Sequence, residues 1–258
     1  SEVVQVLQGR MRPEQSETFR YYATFMEWVQ AHQGMQVRAN ADLPDQAKLA
    51  RLFGAEGIGL CRTEHMFFAA DRMPIMQQMI LAETKEERTC ALNQLLPMQK
   101  KDFIGLYREM NGKPVTIRLL DPPLHEFLPK REALMMDIAQ LELTTGNPIR
   151  LAEQRRLLAR VEELHETNPM LGLRGCRLGI AYPEITRMQV QAIMEAACEV
   201  RAEGIDVAPE IMVPLVALAS EMITQKVLIQ TVADETMGRY EMRFPYHVGT
   251  MIELLALQ

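Results

Sequence analysis

Short apolar runs alternate with longer amphipathic stretches along most of this chain. The short runs have the length of buried strands, and the stretches between them repeat apolar residues at the three- and four-residue spacing of a helix. Strands and helices that alternate in this way fold into a parallel sheet with right-handed connections. The predicted strands are Gln36–Ala41, Gly57–Arg62, Pro114–Leu120, Gly172–Leu178, Glu210–Leu215 and Tyr246–Glu253.

Helix start and stop signals lie between these strands. Pro44 stands at the first position of a short helix, and Gly54 ends that helix. The other predicted helices are Ile75–Met110 with a break at Glu83–Glu86, Glu132–Glu166 with a break at Gly146–Pro148, Ile185–Glu203 and Leu218–Met237. Residues 1–34 differ, because a short apolar stretch there precedes one amphipathic helix. We therefore predict an N-terminal arm with a helix at 1–34 and one α/β domain at 35–258.

The predicted sheet could be open and doubly wound, or closed as a TIM (β/α)8 barrel. The glycine pattern GxGxxG of a dinucleotide-binding fold does not follow the first predicted strand. Four charged residues lie in, or at the C-terminal end of, four different predicted strands: Arg62, Arg118, Arg174 and Glu253. Because those ends form the active-site face of a barrel, the pattern favours the barrel.

Three of these four residues are arginines. A guanidinium group is a planar fork that binds two oxygens of a carboxylate or phosphate at once. We interpret three such forks at one end of a barrel as a site for a small, doubly charged anion. The alternative is that each arginine pairs with a nearby acid such as Glu64 or Asp121. Asp121, which two prolines follow, is also predicted to orient Arg118.

Glu253 and two histidines are the remaining candidates. Glu253 ends a Met-Ile-Glu triplet and suits Mg²⁺, which takes one or two protein carboxylates besides water and substrate oxygens. The alternative for Glu253 is a carboxylate at the rim that holds no metal. His65 and His125 adjoin the arginine motifs, and we interpret both as hydrogen-bonding neighbours, not as acids or bases.

Composition and charge exclude several classes of protein. The 258 residues include 28 Lys and Arg against 34 Asp and Glu, a net charge of −6, which disfavours non-specific binding to nucleic acid. No apolar run approaches the roughly 20 residues that span a bilayer, and the first residues do not have the pattern of a signal peptide. The four cysteines show no CxxC spacing. We expect reduced thiols and a cytoplasmic location.

Two of the arginine motifs are specific enough to indicate a family. From about Gln36 (VRANAD) to Glu253, and above all in LCRTEHMFF and LLDPPLHEFLP, the chain resembles the C-terminal, phosphoenolpyruvate/pyruvate-binding barrel of the pyruvate, phosphate dikinases. The resemblance implies a (β/α)8 barrel, bound Mg²⁺ and reversible phosphoryl transfer between phosphoenolpyruvate and a phosphohistidine on a swivelling domain. It also implies a separate ATP-grasp domain and a homodimer.

The resemblance assigns roles to the four charged residues. Arg62 and Arg118 match the catalytic arginines that hold the phosphoryl group and the substrate carboxylate. Arg174 matches a third substrate-binding arginine, and Glu253 matches the metal-binding glutamate, which also faces the substrate. The barrels of phosphoenolpyruvate synthase and of the first enzyme of the sugar phosphotransferase system share the GIGLxR pattern but not DPPLHEFLP.

Parts of the family pattern are missing from this sequence. It has no GTND-like motif with the second metal ligand and no GICGE-like motif with the proton-donating cysteine, and Leu173 replaces a usual His or Trp. We therefore expect a barrel truncated after its sixth strand and inactive alone, which either self-associates or is completed by residues outside this sequence. The alternative is a catalytically silent, incomplete barrel that acts as a dimerisation or binding module.

Overall fold

Five parallel strands form one sheet in a computed structural model, which describes residues 1–144, 147–164 and 172–253 apart from the side chain of Leu124. Each strand pairs with the strand that follows it along the chain, so every connection is a crossover. The strands are β1 (Ala39–Asn40), β2 (Ile58–Arg62), β3 (Pro114–Arg118), β4 (Ala208–Val213) and β5 (His247–Thr250).

Helices fill the connections and lie against one side of the sheet. The longest of them, α6, begins at a capping box in which the Thr84 hydroxyl accepts the N–H of Glu87. The helices are α1 (Glu2–Leu7), α2 (Glu17–His32), α3 (Pro44–Leu52), α4 (Thr63–Phe67), α5 (Met73–Leu81), α6 (Lys85–Glu109), α7 (Arg131–Leu143), α8 (Pro148–Leu164), α9 (Gly175–Ala181), α10 (Pro183–Ala202) and α11 (Ala219–Arg239). Short 3₁₀ turns occupy Pro13–Gln15 and Leu124–Phe127.

Most of the predicted elements are confirmed, with shorter strands. The predicted breaks separate α5 from α6 and α7 from α8, and α3 begins at Pro44. The strand predicted at Gly172–Leu178 is wrong, because Arg174 is extended and a helix begins at Gly175. Within the described residues the sheet therefore has five strands and not six, and β3 pairs directly with β4.

The reason for that error lies in the packing of α9. Gly179 lies so close to α10 and α11 that a Cβ there would stand 2.5 Å from Thr186 Oγ1. Cys176 and Leu178 are buried on the same short helix. An apolar run that contains glycines has the same composition in a buried strand as in a tightly packed helix, so periodicity alone cannot separate the two.

The buried core has two parts. One part lies between the sheet and helices α6, α10 and α11, where strand residues such as Val115, Ile117 and Ile211 are about 1% exposed or less. The other surrounds α5, α7 and α8 and includes Met76, Phe127 and other apolar side chains. Because side chains alternate along a strand, the opposite face of the sheet carries the polar residues of β3 and β4.

A polar cluster on that opposite face shows that the sheet is strongly curled. Arg38, just before β1, donates to Glu210 Oε2 on β4 at 2.6 Å and to Thr116 Oγ1 on β3 at 3.3 Å. It crosses β2 at Gly59, where an added Cβ would lie 3.2 Å from the Cβ of Arg38. In a flat sheet β1 and β4 would be about 14 Å apart, and an arginine and a glutamate would both have to be almost fully extended to meet across that distance. The sheet therefore curls toward this face.

Residues 1–34 form helices α1 and α2, and the predicted amphipathic helix is confirmed as α2. Ser16 joins the two, since its hydroxyl accepts the N–H of Phe19 at 3.0 Å and donates to Glu2 at 2.7 Å. Helix α2 has no buried residue, and Trp28 is 64% exposed. The division of the chain at residue 34 stays a prediction. Among the described residues, none of the helices combines the length and the apolar character that crossing a membrane requires.

Candidate functional site

Arg62 and Arg118 lie side by side at the ends of neighbouring strands. Each is the last residue of its strand, β2 and β3, and the two are paired in the register of the sheet. Parallel strands place their carboxyl ends at one edge, so the neighbouring ends of β4 and β5 lie at this edge too. We call it the strand-end edge.

Arg118 is held by two acids. Its Nη2 donates to Glu64 Oε1, and its Nη1 lies 3.1 Å from Asp121 Oδ2. Side chains from both acids are less than a tenth exposed, and Arg118 itself is 12% exposed. The predicted contact between Asp121 and Arg118 is confirmed. Pairing of the arginines with Glu64 and Asp121 is also what the alternative interpretation of these residues predicted.

Arg174 reaches the same acid from a different element. It precedes α9 and does not end a strand as predicted, yet its Nη2 donates to Asp121 Oδ2 at 3.0 Å. Its Nε donates to the Asp121 carbonyl oxygen, also at 3.0 Å. One carboxylate oxygen therefore joins Arg118 and Arg174.

Gly175 explains how α9 can bring Arg174 to this place. Its φ of +57° is a conformation that favours glycine, and an added Cβ would lie 2.9 Å from the Cβ of Leu215. The N–H of Cys176 donates to the Pro214 carbonyl oxygen just beyond β4. The start of α9 is therefore seated directly on the end of β4.

Glu253 lies three residues after β5, and its Oε1 accepts the N–H of Leu215 at 2.9 Å. Met251, two residues earlier, places its Sδ 3.8 Å from Arg118 Nη1. All four residues singled out in the sequence thus lie at the strand-end edge, and Arg118 and Arg174 share Asp121 as a partner.

Asp42, which the sequence pattern did not indicate, binds residues on the β2 side of the edge. Asp42 Oδ1 accepts the N–H of Arg62 at 2.6 Å, and Oδ2 lies 2.7 Å from His65 Nδ1. The Arg62 guanidinium is 3.9 Å from Asp42 Oδ2, outside hydrogen-bond distance. An acid that directly follows the first strand and precedes Pro44 is the signal that could have identified it. His65 is a hydrogen-bonding neighbour, as predicted.

Three buried polar atoms at the edge have no hydrogen-bond partner among the described residues. They are Glu64 Oε2, Asp121 Oδ1 and Arg118 Nε. A charged group that is buried without full hydrogen bonding is costly, and such groups in native proteins are usually completed by water or a ligand. The edge thus has hydrogen-bonding groups that its internal ion pairs do not use.

The residues present offer a magnesium ion only a small number of ligands. No group of three His, Cys, Asp or Glu side chains within the described ranges could hold a metal ion. Glu253 is an exposed carboxylate whose Oε1 accepts the N–H of Leu215. Because Mg²⁺ takes one or two protein carboxylates and fills its shell with water and substrate oxygens, Glu253 fits it as a single protein ligand.

Two cysteines adjoin the edge but remain protonated. Burial is the main cause that raises the pKa of the Cys61 thiol well above its ordinary value, and the negative charges of Asp42 and Glu64 raise it further. Burial raises the pKa of Cys176 to about 11, and its Sγ donates to the Leu215 carbonyl oxygen. All four cysteines of the chain are free thiols. The thiolate is the reactive form, so neither of these two is an activated cysteine.

Two cavities lie away from the strand-end edge. One of about 630 Å³ lies between α5, α6 and α8, and one of about 940 Å³ lies between the end of α2 and α3. None of the four candidate residues lines either cavity. The strand-end edge is therefore separate from both of these cavities. His125 lies in the 3₁₀ turn that follows Asp121.

Comparison with known proteins gives consistent matches. A family model described as PEP-utilising enzyme, PEP-binding domain, matches residues 16–258. Pyruvate, phosphate dikinase of Giardia intestinalis is 52% identical over 90% of this chain, and that of Rhizobium meliloti is 51% identical over 97%. Pyruvate, phosphate dikinase 2 of Oryza sativa subsp. japonica is 53% identical over 89%. The chain spans about a quarter of the length of these relatives.

Proposed function

We propose a function for this chain, which belongs to the family of PEP-utilising enzymes and contains their PEP-binding domain. The chain binds phosphoenolpyruvate and pyruvate at the strand-end edge. The relatives are named pyruvate, phosphate dikinase, which is a phosphotransferase. In the whole protein this part would be the substrate-binding domain of such an enzyme. Those names favour the dikinase over phosphoenolpyruvate synthase and the first enzyme of the sugar phosphotransferase system.

The observation that carries the proposal is that Arg118 and Arg174 both pair with Asp121. Two guanidinium groups on one carboxylate oxygen are held close together with little freedom. Each guanidinium has five N–H donors, so an ion pair to Asp121 does not use all of them. Arg118 Nε is one buried donor with no partner among the described residues. Substrate oxygens would accept hydrogen bonds from such donors.

The chemistry of phosphoryl transfer agrees with this set of residues. Such transfer leaves little covalent work for the protein, and catalysis rests on positioning and on neutralising charge. We propose that Arg62 and Arg118 hold the phosphoryl group and the carboxylate, and that Arg174 is a third substrate contact. Mg²⁺, bound through Glu253, would supply positive charge to the substrate oxygens. Asp42, Glu64 and Asp121 would keep the guanidinium groups in place before substrate binds.

The wider assembly belongs to the same proposal. We propose that the curled sheet is part of a (β/α)8 barrel, and that phosphoryl transfer involves a phosphohistidine on a swivelling domain and a separate ATP-grasp domain. Both would lie in the remaining three quarters of a protein as long as the relatives. The homodimer, the cytoplasmic location and the inactivity of the 258-residue chain alone stay predictions.

Calorimetric titration of phosphoenolpyruvate into the 258-residue protein, with and without Mg²⁺, tests the proposal. We expect binding that Mg²⁺ strengthens, and a loss of that Mg²⁺ effect in Glu253→Gln. Arg62→Ala and Arg118→Ala should each weaken binding about tenfold or more, because each removes a charged hydrogen-bond donor. Arg187→Ala is the matched control, since Arg187 pairs with Glu235 on the exposed surface.

Two results would contradict the proposal. A flat titration of the wild-type protein would favour the alternative, a catalytically silent module that acts through its surfaces. Equal binding by the wild-type protein and by both arginine variants would place the anion elsewhere. Arg62→Ala keeps the test valid if Arg118→Ala fails to fold, because the Arg62 side chain is one-third exposed.

A further inference from the structure

We propose that His65 is a further anion-binding residue of the strand-end edge, which acts through its Nε2 and is oriented by Asp42. The inference rests on the proposed function, because the anion is the one that Arg62 and Arg118 would hold. It assigns His65 a role in binding that its position in the sequence did not predict.

The first step is the orientation of the imidazole ring. His65 Nδ1 lies 2.7 Å from Asp42 Oδ2. Asp42 is 7% exposed, and its other oxygen accepts the N–H of Arg62, so the carboxylate is fixed by the end of β2. A carboxylate acceptor selects the ring form in which Nδ1 carries a proton. Asp42 therefore sets both the direction of the ring and the position of one proton.

The second step is the position of the ring relative to Arg62. Asp42 Oδ2 is 2.7 Å from His65 Nδ1 and 3.9 Å from Arg62 Nη1, so the imidazole is bound to an oxygen that lies within 4 Å of the guanidinium. His65 is in α4, which directly follows Arg62. Its side chain is 49% exposed, whereas that of Asp42 is 10% exposed. The ring is thus anchored by Nδ1 and is about half exposed as a whole, next to a candidate substrate arginine.

The third step is the chemistry of Nε2. A histidine with a proton on each nitrogen donates from both, so Nδ1–H can serve Asp42 while Nε2–H serves a second oxygen. Within the described ranges, the charged groups placed next to the ring are Asp42 from the loop after β1 and Arg62 from the end of β2. Glu64, the preceding residue in α4, is already paired with Arg118, and the nearby Phe68 ring is neutral. A bound anion beside Arg62 would thus meet a second donor.

The competing role is a structural one. In that case His65 would only fasten α4 to the loop after β1, and Nε2 would have no function. The two roles differ in which nitrogen matters. A glutamine side chain can place its amide nitrogen near the position of Nε2, whereas an asparagine places its amide nitrogen near Nδ1. The two substitutions therefore separate the roles.

The experiment is a phosphoenolpyruvate titration of the 258-residue protein and its variants in the presence of Mg²⁺. We expect His65→Gln to bind within about threefold of wild type and His65→Asn to bind about tenfold more weakly, the loss of one charged hydrogen bond. His32→Asn is the matched control, because His32 lies on α2 and bonds only within that helix through the Trp28 carbonyl oxygen. It should bind as the wild type does.

Any other order of the two His65 variants would overturn the inference. If His65→Asn binds normally and His65→Gln binds weakly, the bond to Asp42 is what matters and the role is structural. Arg118→Ala in the same titration distinguishes this failure from failure of the proposed function. Binding that depends on Arg118 but not on His65 overturns the inference alone, and no binding by the wild-type protein overturns both.

Discussion

At the scale of single residues, the strand-end edge depends on one shared carboxylate. Asp121 contacts Arg118, which ends a strand, and Arg174, which directly precedes a helix. The Asp121 side chain is only 7% exposed. Removing one partner of a buried ion pair leaves the other charge uncompensated, which costs more than the pair itself contributes. Asp121 is therefore as important to the fold of this edge as to any ligand.

We expect Asp121→Ala to lower the free energy of unfolding by about 3–5 kcal/mol, because two poorly exposed guanidinium groups lose their common partner. Urea denaturation followed by circular dichroism would measure the change. Asp206→Ala is the control, since Asp206 is 72% exposed and its pair with Arg201 lies at the surface. That substitution should change stability by less than about 1 kcal/mol. Similar losses in both variants would contradict a special role for Asp121.

At the scale of elements, α9 occupies the place where the sequence pattern predicted a strand. The helix brings Arg174 to Asp121 because its first residue, Gly175, takes a positive φ and lies against Leu215. Both conditions require the absence of a Cβ. The position of Arg174 thus depends on the glycine that follows it and on the end of β4.

We expect Gly175→Ala to lower the free energy of unfolding by about 2 kcal/mol or more, from a strained φ and a forced shift of the backbone near Leu215. Phosphoenolpyruvate should also bind more weakly, because Arg174 moves with the helix. Gly238→Ala in α11 is the control, since nothing lies within 4 Å of its added Cβ. It should be neutral or stabilising by up to about 1 kcal/mol. Unfolding curves and titrations that leave Gly175→Ala unchanged would contradict this account.

At the scale of the whole molecule, the curl of the sheet brings β1 close to β4. Arg38 and Glu210 lie 172 residues apart and meet at 2.6 Å on the inner face, with Thr116 between them. Burial raises the pKa of Glu210, but the hydrogen bonds from Arg38 and Thr116 outweigh it, and the net pKa lies below its ordinary value. The ionised form of Glu210 therefore stabilises the curled sheet.

This lowered pKa predicts how stability depends on pH. A carboxyl whose pKa is lower in the folded state contributes its full stabilisation above the pKa of the unfolded chain, about 4.3, and loses it as the pH falls through the folded value. We expect Glu210→Gln to be less stable than wild type by about 1 kcal/mol at pH 7, and the difference to shrink below pH 4. Unfolding measured across this range would check it, with the exposed Glu235→Gln as control. A difference that stays constant with pH would contradict the prediction.

Apart from the segment Gly172–Leu178, the hydrophobic pattern alone determined the order of strands and helices, their parallel pairing and the ends at which Arg62 and Arg118 lie. These features are predictable because the period of a strand or helix is a local property, and because parallel strands place their carboxyl ends at one edge. The motif residues around Arg62, Arg118 and Asp121 were also sufficient to indicate the family. The contact between Arg118 and Asp121 was predictable because only two residues lie between them.

Only the tertiary structure decided which distant residues meet. It placed a helix at Gly175, where packing against α10 and α11 outweighed a pattern compatible with a strand. It joined Arg174 to Asp121 and Asp42 to His65, which lie 53 and 23 residues apart. It also curled the sheet so that Arg38 reaches Glu210. Such contacts depend on how the elements pack and how far the sheet bends, and neither is contained in the period of any one segment.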